Sequence, residues 1–323
     1  MLFKSVPTNR LSSVSGLRDL LKGHQANQWT GFVEVSPSSG SQFWIILSGG
    51  TVICAYSFSM EQAEKIEPSM VDRALSRALE YEVASVALTP SALRMVKILA
   101  EQRVPARTVQ VKTGQLGPLL SQWGRQSHPS LVVCHWPTAH YLAVLPPRPG
   151  SLGEAVFLSQ ADPLADQDAR SHALAWKDPT VDGLCYNYSN ETPAWEEYNL
   201  HLAFTEILES IMERYKELTG LALLNALGRN VNRVALEHKF EIDVTLGKIS
   251  DQAVFFGVSE AVLAYQTLNA IALDHIGIVL GRKLLQSTLR EATASLDANL
   301  VHLAQKYNLL ISVEPIGADA AGH

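Results

Sequence analysis

Three cysteines, five methionines and 18% charged side chains among 323 residues leave little material for several kinds of chemistry. Cys54, Cys134 and Cys185 are far apart, with no C-x-x-C pair and no even set, so neither a zinc ribbon nor a disulfide framework is expected. Each lies in an apolar, strand-like run, where a thiol packs as a small hydrophobe. No apolar run approaches the length of a membrane span, and residues 1–10 lack the apolar core of a signal peptide. The chain is therefore expected in the cytoplasm, where the Asn187 and Asn190 sequons carry no meaning. There is no G-x-S-x-G elbow, no glycine loop between a strand and a helix, and no H-x-x-x-H pair. No catalytic, cofactor-binding or metal-ligating residue is expected.

Charge of either sign is sparse and unevenly placed. Residues 1–193 hold 16 basic and 16 acidic side chains, residues 194–323 hold 10 and 16, and the whole net charge of −6 falls in the last third. A uniformly basic nucleic-acid face is absent, and no specific nucleic-acid partner is expected.

What the sequence does have is alternation. Phe32, Val33 and Val35 open a strand, Phe43 to Leu47 form a second, and Val52 to Tyr56 form a third, with a Ser48-Gly49-Gly50 hairpin between the last two. The middle strand is apolar at every position, which requires cover on both faces. A helix over 11–24 precedes this meander, with Ser12 or Ser13 as N-cap and Gly23 as its stop. A helix from Pro68 (Met70, Val71, Ala74, Leu75, Ala78, Leu79), a strand over 83–88 and a helix over 90–102 follow it.

From Thr113 the order recurs: a helix through Trp123, strands over 131–136, 141–145 and 155–158, a helix from Pro163 to Trp176, and a strand over 183–188. Matching elements stand near one hundred residues apart, the pattern of an internal duplication, although two unrelated lobes of similar size could share such an order. The last third reads as helices over 195–218, 221–238, 259–274 and 276–307, with a two-stranded ribbon near 240–256. The expected fold is α+β: two similar α/β lobes with antiparallel sheets (1–107 and 108–192), a mainly helical domain (193–312) and a flexible tail (313–323).

Three clusters invite a functional reading. Arg94, Lys97, Arg103 and Arg107 fall in a stretch with five basic residues and one acid; the reading is either a solvated helix end and linker or an anion site between the lobes. His135 and His140 could meet across a turn, but two ligands are short of a metal site. Glu206, Glu209, Glu213 and Glu217 share one helix face, as a solvated stripe or as paired acids. The apolar excess of residues 259–307 suggests a surface shared with a second chain, with Leu280, Leu284, Leu289 and Leu296 as candidate homodimer contacts.

Leu17 to Leu21, Thr30-Gly31-Phe32-Val33-Glu34-Val35, Ile45-Ile46-Leu47 and Gly49 to Ala55 together resemble the helix, T-G-x-(apolar)-E-(apolar) strand and Gly-turn hairpin of the DUF4388 or PATAN-type domain. The likeness covers roughly the first hundred residues. It implies a bacterial signalling component that acts on other signalling proteins through interaction and not catalysis. Two further readings stay open: a sensor that binds a nucleotide or other small anion between the lobes, and an enzyme of unknown reaction.

Overall fold

A computed structural model describes residues 9–11, 14–37, 41–58, 63–70, 73, 81–146, 153–159, 164–294 and 296–310. The chain divides into two compact units, Met1–Trp195 and Glu196–His323. The architecture is α+β: two antiparallel sheets with helices in the first unit, and helices with a small ribbon in the second.

In the first unit, β1 (Asn9–Leu11) and α1 (Val14–Ala26) lead into the meander β2 (Gly31–Pro37), β3 (Gln42–Ser48) and β4 (Thr51–Phe58). Then come β5 (Ala63–Ile66), a 3-10 turn (Pro68–Met70), β6 (Tyr81–Ala87) and α2 (Pro90–Glu101). The second half continues with β7 (Arg107–Lys112), α3 (Leu116–Trp123), β8 (Ser130–His135), β9 (His140–Leu145), β10 (Ala155–Leu158), β11 (Leu164–Ala165), α4 (Asp166–Leu174) and β12 (Thr180–Asn187).

The sheets run β1-β6-β2-β3-β4-β5 and β7-β12-β8-β9-β10-β11, with every neighbouring pair antiparallel. Counting strands within each half gives the same order, 1-6-2-3-4-5. Matching elements start between 98 and 104 residues apart, from β1 and β7 through β6 and β12. A shared nontrivial strand order at a constant offset is what an internal duplication leaves behind.

The Gly49-Gly50 turn shows why the meander closes where it does. Both glycines have positive φ (53° and 79°), and a Cβ on Gly50 would stand 2.7 Å from Gln25 Cα. The turn is thus a hairpin wedged on the end of α1, with the Gly50 N–H donating to Trp29 O at 2.8 Å.

One face of the first sheet (Val33, Val35, Ile45, Leu47) packs on Leu17 of α1. Helix α2 contacts β2 of the first sheet as well as β9 and β10 of the second. It is capped by Thr89, whose Oγ1 accepts from the Ala92 N–H, and has Pro90 in its first turn. Every residue from Ala92 to Ala100 is buried, as a helix between two sheets must be. The far face of the second sheet (Val132, Cys134, Tyr141, Phe157) closes on Leu116, Leu120 and Trp123 of α3 and on Ala169 and Ala173 of α4. All three cysteines are free and buried.

Several expectations are corrected. Helix α1 passes through Gly23 to Ala26 and ends on Gln28 at φ 49°. Arg107 opens β7 and is not a linker residue, because β7 pairs along its length with β12. The short strands β1, β5, β7 and β11 were not foreseen. The expected N-caps Ser12 and Ser13, the helix residues Val71, Ala74, Leu75, Ala78 and Leu79, and the tail from 313 lie outside the described residues.

The second unit contains α5 (Pro193–Thr219, of which residues 193–195 belong to the first unit), α6 (Leu221–Glu237) and the ribbon β13 (Ile242–Thr245) and β14 (Lys248–Asp251). Helices α7 (Val258–Leu280), α8 (Arg282–Ala294) and α9 (Ala298–Lys306) complete it. Its core joins Phe204, Ile207, Ile211 and Tyr215 of α5 to Leu224, Leu227 and Val231 of α6 and to Tyr265, Leu268 and Ile276 of α7.

Helix α7 does not stop at 274 as expected but continues to Gly281, whose φ of 79° marks the break. At 23 residues with a window hydropathy of 1.3, it is long and apolar enough by length and composition to cross a membrane, which corrects the expectation that no stretch is. Its inner face is core of the unit, and one helix of this kind is weak evidence for a span.

Candidate interaction surface

The four cations read as an anion site fall in two environments. Arg94 and Lys97 lie on the enclosed helix α2, 4% and 1% exposed. Arg94 Nη2 donates to Glu154 Oε1 at 2.9 Å, and Ser91 Oγ donates to the same oxygen at 2.7 Å, tying α2 to the approach of β10. Arg103 places its guanidinium 4.7 Å from the centre of the Phe58 ring, and Arg107 is exposed at the start of β7.

His135 and His140 do meet. They are register partners at the β8–β9 turn, with their Nδ1 atoms 2.8 Å apart. One ring must then donate to the bare nitrogen of the other. Burial lowers both pKa values; His140, further discouraged by His135, falls to about 4, while Asp182 opposes the shift at His135. No group of three or more metal-ligating side chains occurs among the described residues.

The acid stripe of α5 is tied into surface ion pairs. Glu213 pairs with Lys216 and Glu217 with Arg214, while Glu209 binds Lys248 and accepts from the Ile249 N–H.

A constellation that sequence reading missed lies inside the second unit. His201 Nδ1 is 2.7 Å from Asp251 Oδ2, Tyr265 OH donates to that oxygen at 2.8 Å, and the Ala253 N–H donates to Asp251 Oδ1 at 2.9 Å. An Asp-oriented histidine is the partnership that general-base chemistry uses. Here all three side chains are buried, so the arrangement pins α5, the ribbon and α7 together.

The remaining distinctive feature is apolar. Phe204 stacks on Tyr265 (centroids 4.5 Å) and Tyr215 meets His275 edge-on (6.2 Å), so α5 and α7 run parallel, side by side. One turn beyond the second contact both helices end, α5 at Gly220 and α7 at Gly281, each glycine with positive φ. The two corners therefore lie at the same end of the unit. Around them six large apolar side chains are exposed: Leu218, Leu221, Leu223, Val279 and Leu284 between 38% and 50%, and Ile278 at 78%. These are six of the thirteen exposed large hydrophobics among the described residues, gathered within four positions of two glycines.

Of the four dimer contacts foreseen in the sequence, Leu284 belongs to this end. Leu280, Leu289 and Leu296 are half-buried against the unit's own core. Among the described residues, intramolecular packing thus covers most of the apolar excess of 259–307 and leaves Leu263, Ile278, Val279 and Leu284 exposed.

No family model matches the chain, and no curated protein matches it.

Proposed function

We propose that the chain is a non-catalytic signalling or scaffold component that works by binding another protein at the Gly220–Gly281 end of its helical unit. The observation that carries this reading is the gathering of six exposed apolar side chains around two helix corners at one end of the unit; Leu236, Leu246 and Leu263 are exposed elsewhere along its sequence. Exposed apolar side chains gathered in one place mark interaction sites. The PATAN-like character of the first hundred or so residues points the same way, toward interaction. In this reading the enclosed His201–Asp251–Tyr265 group serves to hold the helical unit together.

A photoreactive amino acid placed at Ile278 in cells tests the reading, with Arg229, exposed on α6, as the control position. Protein adducts at 278 and none at 229 are expected. No adduct at 278, or a rise in melting temperature with millimolar nucleotides or cyclic dinucleotides, would replace interaction with another role.

A further inference from the structure

We propose that the free edge of β7 takes up an extended acidic segment of another protein as a seventh strand of the second sheet. This site lies in the first unit, apart from the Gly220–Gly281 end, and either can fail without the other.

Strand β7 is the longest edge strand among the described residues, with β12 as its one neighbour in the sheet. Its register fixes which backbone groups are open. The Thr113 N–H donates to Pro179 O at 3.0 Å, continuing the β7–β12 pairing, and bonded pairs recur at every second residue of an antiparallel ladder. Arg107, Val109 and Val111 therefore turn their backbone groups to β12. Thr108 and Gln110 turn theirs outward, and Lys112 its N–H.

Sheet edges are ordinarily blunted by shortness, proline, charge or cover. The middle of β7, Thr108-Val109-Gln110-Val111, has no charge and no proline, and two of its four residues are valine. Val109 and Val111 are half-buried on the α3 side of the sheet, where a further strand would extend the apolar row. Val104, three positions before the strand, is 79% exposed. An occupant with apolar residues at alternate positions fits this edge.

Charge selects among such segments. Arg107 and Lys112 stand exposed at the two ends of β7, and neither makes an ion pair among the described residues. Residues 94–112 hold five bases and one acid, so the edge lies in the basic stretch already noted. Opposite charges across neighbouring strands stabilise a ladder and like charges oppose it. A second β7 would bring four cations and no acid to the junction, whereas a strand with an acid toward each end answers both cations.

Fluorescence anisotropy on the full chain with two labelled peptides, Asp-Val-Thr-Val-Thr-Asp and Lys-Val-Thr-Val-Thr-Lys, tests the proposal. The acid-ended peptide should bind about tenfold or more tightly than the lysine-ended one at low salt. Arg107→Glu with Lys112→Glu should reverse that preference. Thr108→Pro deletes an outward N–H that bonds nothing among the described residues, so it should abolish binding and leave the melting curve unchanged. Methylating alternate amide nitrogens of the acid-ended peptide should abolish binding to the unaltered chain, a readout that no folding defect can mimic.

No binding of the acid-ended peptide at about 1 mM would overturn the proposal. So would binding that survives Thr108→Pro or amide methylation, or a preference indifferent to the charge reversal. A species of twice 35.3 kDa that Thr108→Pro converts to monomer would also overturn it, because a second copy would then hold the edge.

Discussion

Asp251→Ala removes an acceptor that joins α5, the ribbon and α7 of the helical unit. The wild-type carboxyl is fully enclosed; it accepts from Tyr265 OH and the Ala253 N–H and binds His201 Nδ1, all within 2.9 Å. Alanine would take one partner from each of three buried polar groups, and a group left unsatisfied costs about 1–3 kcal/mol. The groups relax together, so the expected loss is about 4 kcal/mol and not the full sum. For a unit of this size that lowers the melting temperature by more than about 10 °C.

The assay must see the helical unit. All six tryptophans lie at or before Trp195, so tryptophan fluorescence does not report on it. Far-ultraviolet circular dichroism, dominated by α5 to α9, does. Asp251→Asn keeps one acceptor oxygen and should lose about half as much. A stability within about 1 kcal/mol of wild type for Asp251→Ala would refute the view that this cluster pins the unit.

Three further outcomes follow from buried charge in the first unit. His140 has its folded pKa depressed to about 4, so its contribution is full above the unfolded value near 6.5 and is lost as pH falls toward 4. Melting between pH 7.5 and 4.5 should show a loss of about 3 kcal/mol that His140→Gln largely removes; parallel pH curves would contradict this. Glu34 is buried beside Trp44, and burial raises its pKa, so its contribution is present at low pH and lost as pH rises. Glu34→Gln should therefore stabilise more at pH 8 than at pH 5, and the reverse order would sink the argument. Arg94→Met strands the Glu154 carboxylate against α2 and should cost about 3–5 kcal/mol in urea denaturation, whereas Arg94→Met with Glu154→Leu should recover most of it.

The meander was legible in the sequence because three alternating runs and a Gly-Gly turn sit within thirty or so residues. The repeat was legible because its spacing survives where residue identity does not. Edge strands were not: β11 has two residues and β1 three, too few for any period. In β7 the alternation of Val109 and Val111 was present but lay inside a basic stretch that looked like a linker.

That Arg94 and Lys97 are buried was not legible, for a physical reason. Nothing local announces that a helix is enclosed by two sheets, or that the partner of Arg94 is sixty positions away. His201, Asp251 and Tyr265 come from three elements and leave no motif. The apolar excess near the C-terminus was visible, but which leucines stay uncovered depends on where α7 breaks, and Gly281 sets that break seven residues beyond the expected one.

Hydroxyl-radical footprinting of side chains, in dilute purified protein and in concentrated extract of the source cells, tests the central claim most directly. Ile278 and Leu284 should be oxidised in the dilute sample and protected in extract, while Leu236 and Leu246, exposed elsewhere on the same unit, should be oxidised in both. Equal oxidation of Ile278 in the two conditions would mean that nothing covers this end, and would contradict the account.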